Sequence, residues 1–165
     1  MSMTENSGTT EVQMVAFKLE NEEFAVDIHQ VREVLKMTQV TPLPQSAHYI
    51  EGVINLRGEV IPVVDLRKRF ELSEEKCNDQ TRIIIVEIMD NDVGLIVDSV
   101  TEVLRFPSSA IQPPPTRIAG TRTDLIRGVG KLENRLLIVL DIEKILSTEE
   151  IIALDEITLG DKVEQ

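Results

Sequence analysis

Two stretches of this chain, 76 residues apart, read alike, and that duplication limits its possible folds more than any other feature. Ile50 to Phe70 reads IEGVINLRGEVIPVVDLRKRF, and Ile126 to Leu146 reads IRGVGKLENRLLIVLDIEKIL. Seven of 21 aligned positions are identical: Ile50/Ile126, Gly52/Gly128, Val53/Val129, Leu56/Leu132, Val63/Val139, Asp65/Asp141 and Lys68/Lys144. A fainter match at a spacing of 69 aligns Phe24 to Met37 with Val93 to Phe106, sharing Val31/Val100, Glu33/Glu102, Val34/Val103 and Leu35/Leu104. The change in spacing puts seven extra residues between the blocks of the second copy, where Pro113-Pro114-Pro115 lies. Two copies of a unit of about 65–70 residues are the simplest account of most of the 165.

Each copy reads as a string of short strands. Val and Ile supply 36 residues against 16 Leu, a bias toward pleated, half-buried surfaces. Val15 to Leu19 and Glu23 to Ile28 flank a tight turn at Asn21-Glu22. Gly52 to Leu56 and Glu59 to Leu66 flank Arg57-Gly58, where glycine supplies positive φ; Glu133-Asn134 takes that place in the second copy. Arg82 to Met89 is almost continuously apolar and reads as a strand buried on both faces. Val31, Val34 and Leu35 stand at helical spacing, enough for one or two turns between His29 and Leu35. Thr41-Pro42-Leu43-Pro44 breaks the chain, since proline lacks an amide donor and restricts the preceding residue. Ser147 and Glu150 form a capping box before an apolar face of Ile151, Ile152 and Leu154. The expected order is a flexible start (1–13), a first β unit (14–81), a second (82–146), a C-terminal helix (147–158) and a tail (159–165). A small unit of five short strands can close on itself and remove its exposed edges, so an all-β pair of five-stranded barrels with short helices is expected.

Charge and chemistry exclude several functions. The net charge is −12, of which the segments 1–13 and 147–165 carry −2 and −5. Such a chain repels nucleic acid and anionic lipid, and aromatics for base stacking amount to 3%. No run approaches the roughly 20 apolar residues of a membrane helix. The polar start lacks the basic and apolar regions of a signal peptide, so a cytoplasmic protein is expected. His29 and His48 stand near no candidate nucleophile, and no spacing suggests a metal or cofactor site. Asp65 and Asp141 read as turn acids of two units rather than a catalytic pair. Cys77 lies among acids, which disfavour a thiolate. These residues offer no active site, which leaves a binding module, with a small-ligand-binding double barrel as the alternative.

The stretch GVINLRGEVIPVVDLR (Gly52 to Arg67), supported by FAVDIHQVREVL and GLIVDSVTEVL, resembles the CheW-type chemotaxis coupling proteins over about residues 14 to 155. The resemblance implies two SH3-like five-stranded β-barrels, with the N-terminal strand crossing to complete the second. It implies a non-catalytic adaptor without cofactor, joining the cytoplasmic tip of methyl-accepting chemoreceptors to the regulatory domain of the histidine kinase CheA. Recruitment to receptor arrays at the inner face of the membrane follows, with no insertion into it. Carried over by position, the receptor-binding residues are Ile28, Glu33, Arg57, Arg82, Ile83, Val100 and Val103. The kinase-binding residues are Val31, Glu51, Gly52 and Val60 in the first unit, and Gln112, Pro113 and Arg117 in the second. Two positions depart from the pattern: Arg82 stands where an apolar groove residue is expected, and Glu51 where a base can occur.

Overall fold

The computed structural model describes residues 10–44, 47–72, 77–114 and 123–146. The expected C-terminal helix, with Ser147 and Glu150, and Arg117 lie outside these residues. The first half contains strands β1 (Glu11–Leu19), β2 (Glu22–Asp27), β3 (Val31–Lys36), β4 (Ile50–Leu56) and β5 (Glu59–Asp65), then a one-turn helix α1 (Leu66–Arg69). The second half contains β6 (Arg82–Ile88), β7 (Asn91–Val97), β8 (Ser99–Pro107), β9 (Ile111–Gln112), β10 (Ile126–Leu132) and β11 (Arg135–Leu140).

These strands form two sheets, one ordered β8-β1-β2-β11-β10-β9 and the other β3-β6-β7-β5-β4. The expected division between residues 81 and 82 does not follow the sheets. Strands β6 and β7 pair with β3 and β5, whereas the β1–β2 hairpin joins β8 and β11. Each half therefore lends its opening hairpin to the sheet completed by the other half. The chain passes between sheets at two short places: the 3-10 turn Ile28–Gln30 and the single residue Asp98 between β7 and β8.

The registers show that the exchange is reciprocal. Phe17 pairs with Phe24 and Val86 with Val93, each partner 69 residues from its counterpart. The parallel contact Val63↔Gly94 recurs as Val139↔Ala25. Bulges interrupt β3 at Arg32 and β8 at Thr101, again 69 apart, and β4 at Glu51 and β10 at Arg127, 76 apart. Even the two-residue β9, which makes the first sheet six-stranded, has a counterpart: Gln112↔Val129 corresponds to the single bridge Thr41↔Val53. The 69-residue repeat thus extends back through both hairpins.

Alternation along the strands builds three apolar layers. Val15, Phe17 and Leu19 of β1 meet Ile84, Val86 and Ile88 of β6 in a core between the sheets, joined by Phe24, Leu95, Leu140 and Leu146. The opposite faces fill two smaller clusters: Met14, Ala16, Phe106 and Leu137 behind one sheet, and Ile54, Ile61, Ile83 and Ile85 behind the other. Strand β6 is accordingly buried on both faces, which accounts for its continuous apolar run. Each such side chain contributes about 1.5–3 kcal/mol by burial, so the shared middle layer binds the two sheets into one cooperative body.

Two local expectations change. Residues 31–36 form an edge strand, not helical turns, because Val31, Glu33 and Leu35 face inward with period two while Val34 stays 40% exposed. The β1–β2 turn is centred on Glu20-Asn21, one residue earlier than read, with Glu20 at φ 56°. The exchanged hairpins predict that residues 1–76 and 77–165, made separately, each lack a folded amide spectrum. An equimolar mixture should recover one, and an independently folded fragment would contradict the pairing.

Candidate partner-binding surfaces

Arg57 stands at the tip of the β4–β5 hairpin. Arg57 and Gly58 both have positive φ, 52° and 88°, as a tight two-residue hairpin requires, and Gly58 N donates to Asn55 Oδ1 at 2.9 Å. The guanidinium, 69% exposed, forms an ion pair with Glu33 of β3, which raises its already high pKa through hydrogen bonding and charge. The turn therefore holds a permanent cation outward, with its direction set by a carboxylate from another strand. Beside it lies a depression of about 610 Å³ whose lining includes Val31, Arg32, Glu33, Arg57 and Asp92. Arg32 is held there by Glu87 and Asp92, at 3.4 and 3.2 Å.

The other sheet places acids at the same two positions but uses one cation. Arg135 at the start of β11 donates to both carboxylate oxygens of Glu23, at 3.0 and 2.7 Å, and to Glu102 at 2.9 Å. Glu23 and Glu102 correspond to Asp92 and Glu33 by the 69-residue spacing, whereas the turn position of Arg57 is Glu133 here. The duplication has thus kept the acids and moved the base, so the outward cation at the hairpin tip belongs to one half.

The remaining expected residues fall into distinct settings. Glu33 and Arg57 touch, and Val31 lines the same depression. Val103 is 50% exposed on edge strand β8, and Val34 holds the equivalent place on β3. Val100 and Ile28 are half-buried and pack against the middle core, as does Val31. Arg82, at the start of β6, spends its guanidinium on the carbonyls of Asp79 and Thr81, at 2.8 and 2.9 Å. Ile83 is a correction: its side chain is wholly buried in the cluster behind the second sheet, so it acts through packing and offers no contact surface.

Glu51 sits in the β4 bulge, paired with Lys68 Nζ at 2.5 Å. Gly52 follows at φ 145°, and a Cβ there would lie 1.9 Å from the carbonyl oxygen of Thr41. It is buried and shapes the bulge rather than presenting a side chain. Val60 is half-buried on β5, while Gln112 and Pro113 are exposed at and beyond β9. The sequence reading overlooked Leu136, the counterpart of Val60 and 60% exposed. The repeat alignment already paired these positions and could have marked it.

It read Asp65 as a turn acid, which its cap on α1 agrees with, but missed its buried partner Arg67. Asp65 and Arg67 are only 3% and 4% exposed. Asp65 caps α1 by accepting from Arg67 N at 3.0 Å, and Arg67 returns Nε and Nη2 to its carboxylate at 3.2 Å each. Arg67 Nη1 reaches Asp98 at 3.3 Å, and Asp98 accepts the amide of Glu20 at 2.7 Å. Among the described residues no buried side-chain polar atom lacks a partner, and no group of three His, Cys, Asp or Glu could hold a metal ion. No helix among them is long and apolar enough to cross a membrane.

Comparison with known proteins places this arrangement. A CheW-like domain family model matches residues 13–150. The chemotaxis protein CheW of Bacillus subtilis is 40% identical over 136 residues, covering 82% of this chain and 87% of that protein. The Klebsiella aerogenes protein of that name is 36% identical over 145 residues, covering 88% and 87%. The crystal structure of the scaffolding protein TtCheW from Thermoanaerobacter tengcongensis superposes with a TM-score of 0.80 at 36% identity, over 86% of this chain and 96% of that one. With the sequence, the two-sheet fold and the solved structure all agreeing over most of its length, the chain belongs to the CheW family of chemotaxis scaffold proteins.

Proposed function

We propose that this protein is a non-catalytic adaptor that couples the cytoplasmic tip of methyl-accepting chemoreceptors to the regulatory domain of a CheA-type histidine kinase. It works in the cytoplasm, recruited to receptor arrays at the membrane's inner face. The observation that carries the reading is the outward Arg57–Glu33 pair at a hairpin tip of a CheW-family fold. A helical hairpin laid beside edge strands β3 and β8 would meet Arg57, Glu33 and Val103 as one charged and one apolar contact. Arg82 and the half-buried Ile28 and Val100 support that receptor face. Kinase contacts fall to Val31, Glu51, Gly52 and Val60 at one end, and to Gln112, Pro113 and Arg117 at the other.

Calorimetric titration with the kinase regulatory domain tests the reading. Saturable 1:1 binding is expected, weakened by Val31→Asp or Val60→Asp. Absence of heat and of co-elution across several salt concentrations would remove the assigned partner. Arg57→Ala is expected to leave the thermal midpoint in place, because the side chain is solvated, while weakening binding of a receptor tip fragment. Unchanged receptor affinity would remove Arg57 from the contact.

A further inference from the structure

The β1–β2 hairpin is paired, strand by strand, with the half of the chain it does not belong to. Strand β1 runs against β8 from Glu11↔Pro107 to Lys18↔Ser99, and β2 meets β11 at Phe24↔Ile138 and Ala25↔Val139. Polar contacts point the same way. Asp98 accepts the amide of Glu20 at 2.7 Å and donates its own to the carbonyl of Lys18, while Arg135 holds Glu23. In the middle core the hairpin also meets its own half, where the Phe24 and Phe70 ring centroids lie 5.3 Å apart. The described chain joins this hairpin to β3 only through the 3-10 turn Ile28–Gln30. Two local bonds close that turn: His29 N donates to Asp27 Oδ1 at 2.8 Å, and Val31 N to the carbonyl of Ile28.

We infer that this hairpin exchanges between two copies of the chain, each inserting residues 11–27 between β8 and β11 of the other, with Ile28–Gln30 as the hinge. The duplication already shows the exchange inside one molecule. The β6–β7 hairpin of the second half lies between β3 and β5 of the first, just as β1–β2 lies between β8 and β11. Two halves on one chain thus trade hairpins as two separate chains would. Exchange between copies keeps every strand pair, the Asp98 and Arg135 contacts, and the burial of Met14, Phe17 and Leu19, because the receiving body supplies both of its own halves. Only the hinge changes, so the contact energy is nearly the same within a molecule and between two. Concentration then decides the balance. A short hinge holds its own hairpin at an effective concentration of about 1 mM, so the monomer dominates in dilute solution and the closed dimer gains as the chain is concentrated. Arg57 and Glu33 lie outside the hairpin, and the dimer carries two intact Arg57–Glu33 pairs in one particle.

Refolding the full chain from urea at about 1 mM is expected to leave a dimer that persists on dilution, since return to monomer requires Phe17 and Leu19 to leave the core. Refolding about a hundredfold more dilute should lower the dimer fraction about tenfold or more. A disulfide identifies the contact: Gln13→Cys and Arg105→Cys stand opposite each other across β1 and β8, in a chain that also carries Cys77→Ser. On a non-reducing gel, oxidation is expected to link the dimer fraction between chains and the monomer fraction within one chain. Deleting His29 and Gln30 shortens the hinge, and that variant is expected to be mainly dimeric at micromolar concentration. The refolding and disulfide results decide the matter if the shortened chain aggregates. A chain that refolds to monomer at both concentrations, a dimer whose disulfides close within each chain, or a shortened chain that folds as a monomer would overturn the inference.

Discussion

Replacing Arg67 with methionine is expected to lower the unfolding free energy by about 3–5 kcal/mol, because it removes the buried guanidinium that pairs with Asp65 and Asp98. Methionine preserves much of the side-chain volume, so lost packing is a minor part of the effect. The cost arises from Asp65, which keeps its place as the α1 cap but loses both charged hydrogen bonds at 3.2 Å in a site 3% exposed. Burial opposes the charge on Arg67, and the hydrogen bond and charge of Asp65 outweigh it, so the arginine's pKa is raised and it keeps its charge. Urea unfolding followed by far-UV circular dichroism measures the loss. A change below about 1 kcal/mol would mean that the cluster behaves like a surface ion pair.

Gly52→Ala should do comparable damage by a different route. At φ 145° an L side chain is strained, and its Cβ would lie 1.9 Å from the Thr41 oxygen and 2.8 Å from Pro42 Cα, both backbone atoms. Neither can move aside without breaking the Thr41–Val53 pair, in which each amide donates to the other's carbonyl at 2.8 Å. A loss of about 3 kcal/mol or more is expected from strain and overpacking together. Gly58→Ala serves as the comparison: φ is 88°, but nothing lies within 4 Å of a Cβ, so backbone strain alone costs about 1 kcal/mol. Equal destabilisation by the two variants would show that the close approach at Thr41 contributes nothing. The same approach explains why Gly128 matches Gly52 in the repeat, since a Cβ there would meet the Gln112 carbonyl oxygen at 2.6 Å.

The contrast between these glycines and the exchanged hairpins shows what a single sequence carries. The 76-residue repeat was legible because β4, β5, β10 and β11 share glycines and turn acids fixed by local geometry. The 69-residue repeat could be aligned from Phe24, but its identities begin only at Val31, where Val31/Val100 and Glu33/Glu102 flank matching bulges. Further upstream the hairpins have no identities, because Val15, Phe17 and Leu19 need only be apolar to occupy the places of Ile84, Val86 and Ile88. Which sheet a hairpin joins is a long-range pairing that alternation does not encode, so the expected boundary at residue 81 cut through both sheets. Helical spacing at Val31, Val34 and Leu35 misled for a related reason: the edge strand leaves Val34 exposed, so its apolar residues do not all lie on the buried face. Arg57 was legible because a hairpin tip is predictable from its glycine. Arg67 was not, because its burial depends on Asp98, 31 residues away in sequence.

The most direct test of the account is a three-component sedimentation experiment with this protein, a chemoreceptor tip fragment and the kinase regulatory domain. Coupling predicts that the receptor fragment and the kinase domain co-sediment with the protein as one complex larger than either pair. Arg57→Ala should release only the receptor fragment, and Val60→Asp only the kinase domain. Partners that exclude one another on the protein, or a protein that sediments alone in their presence, would contradict it.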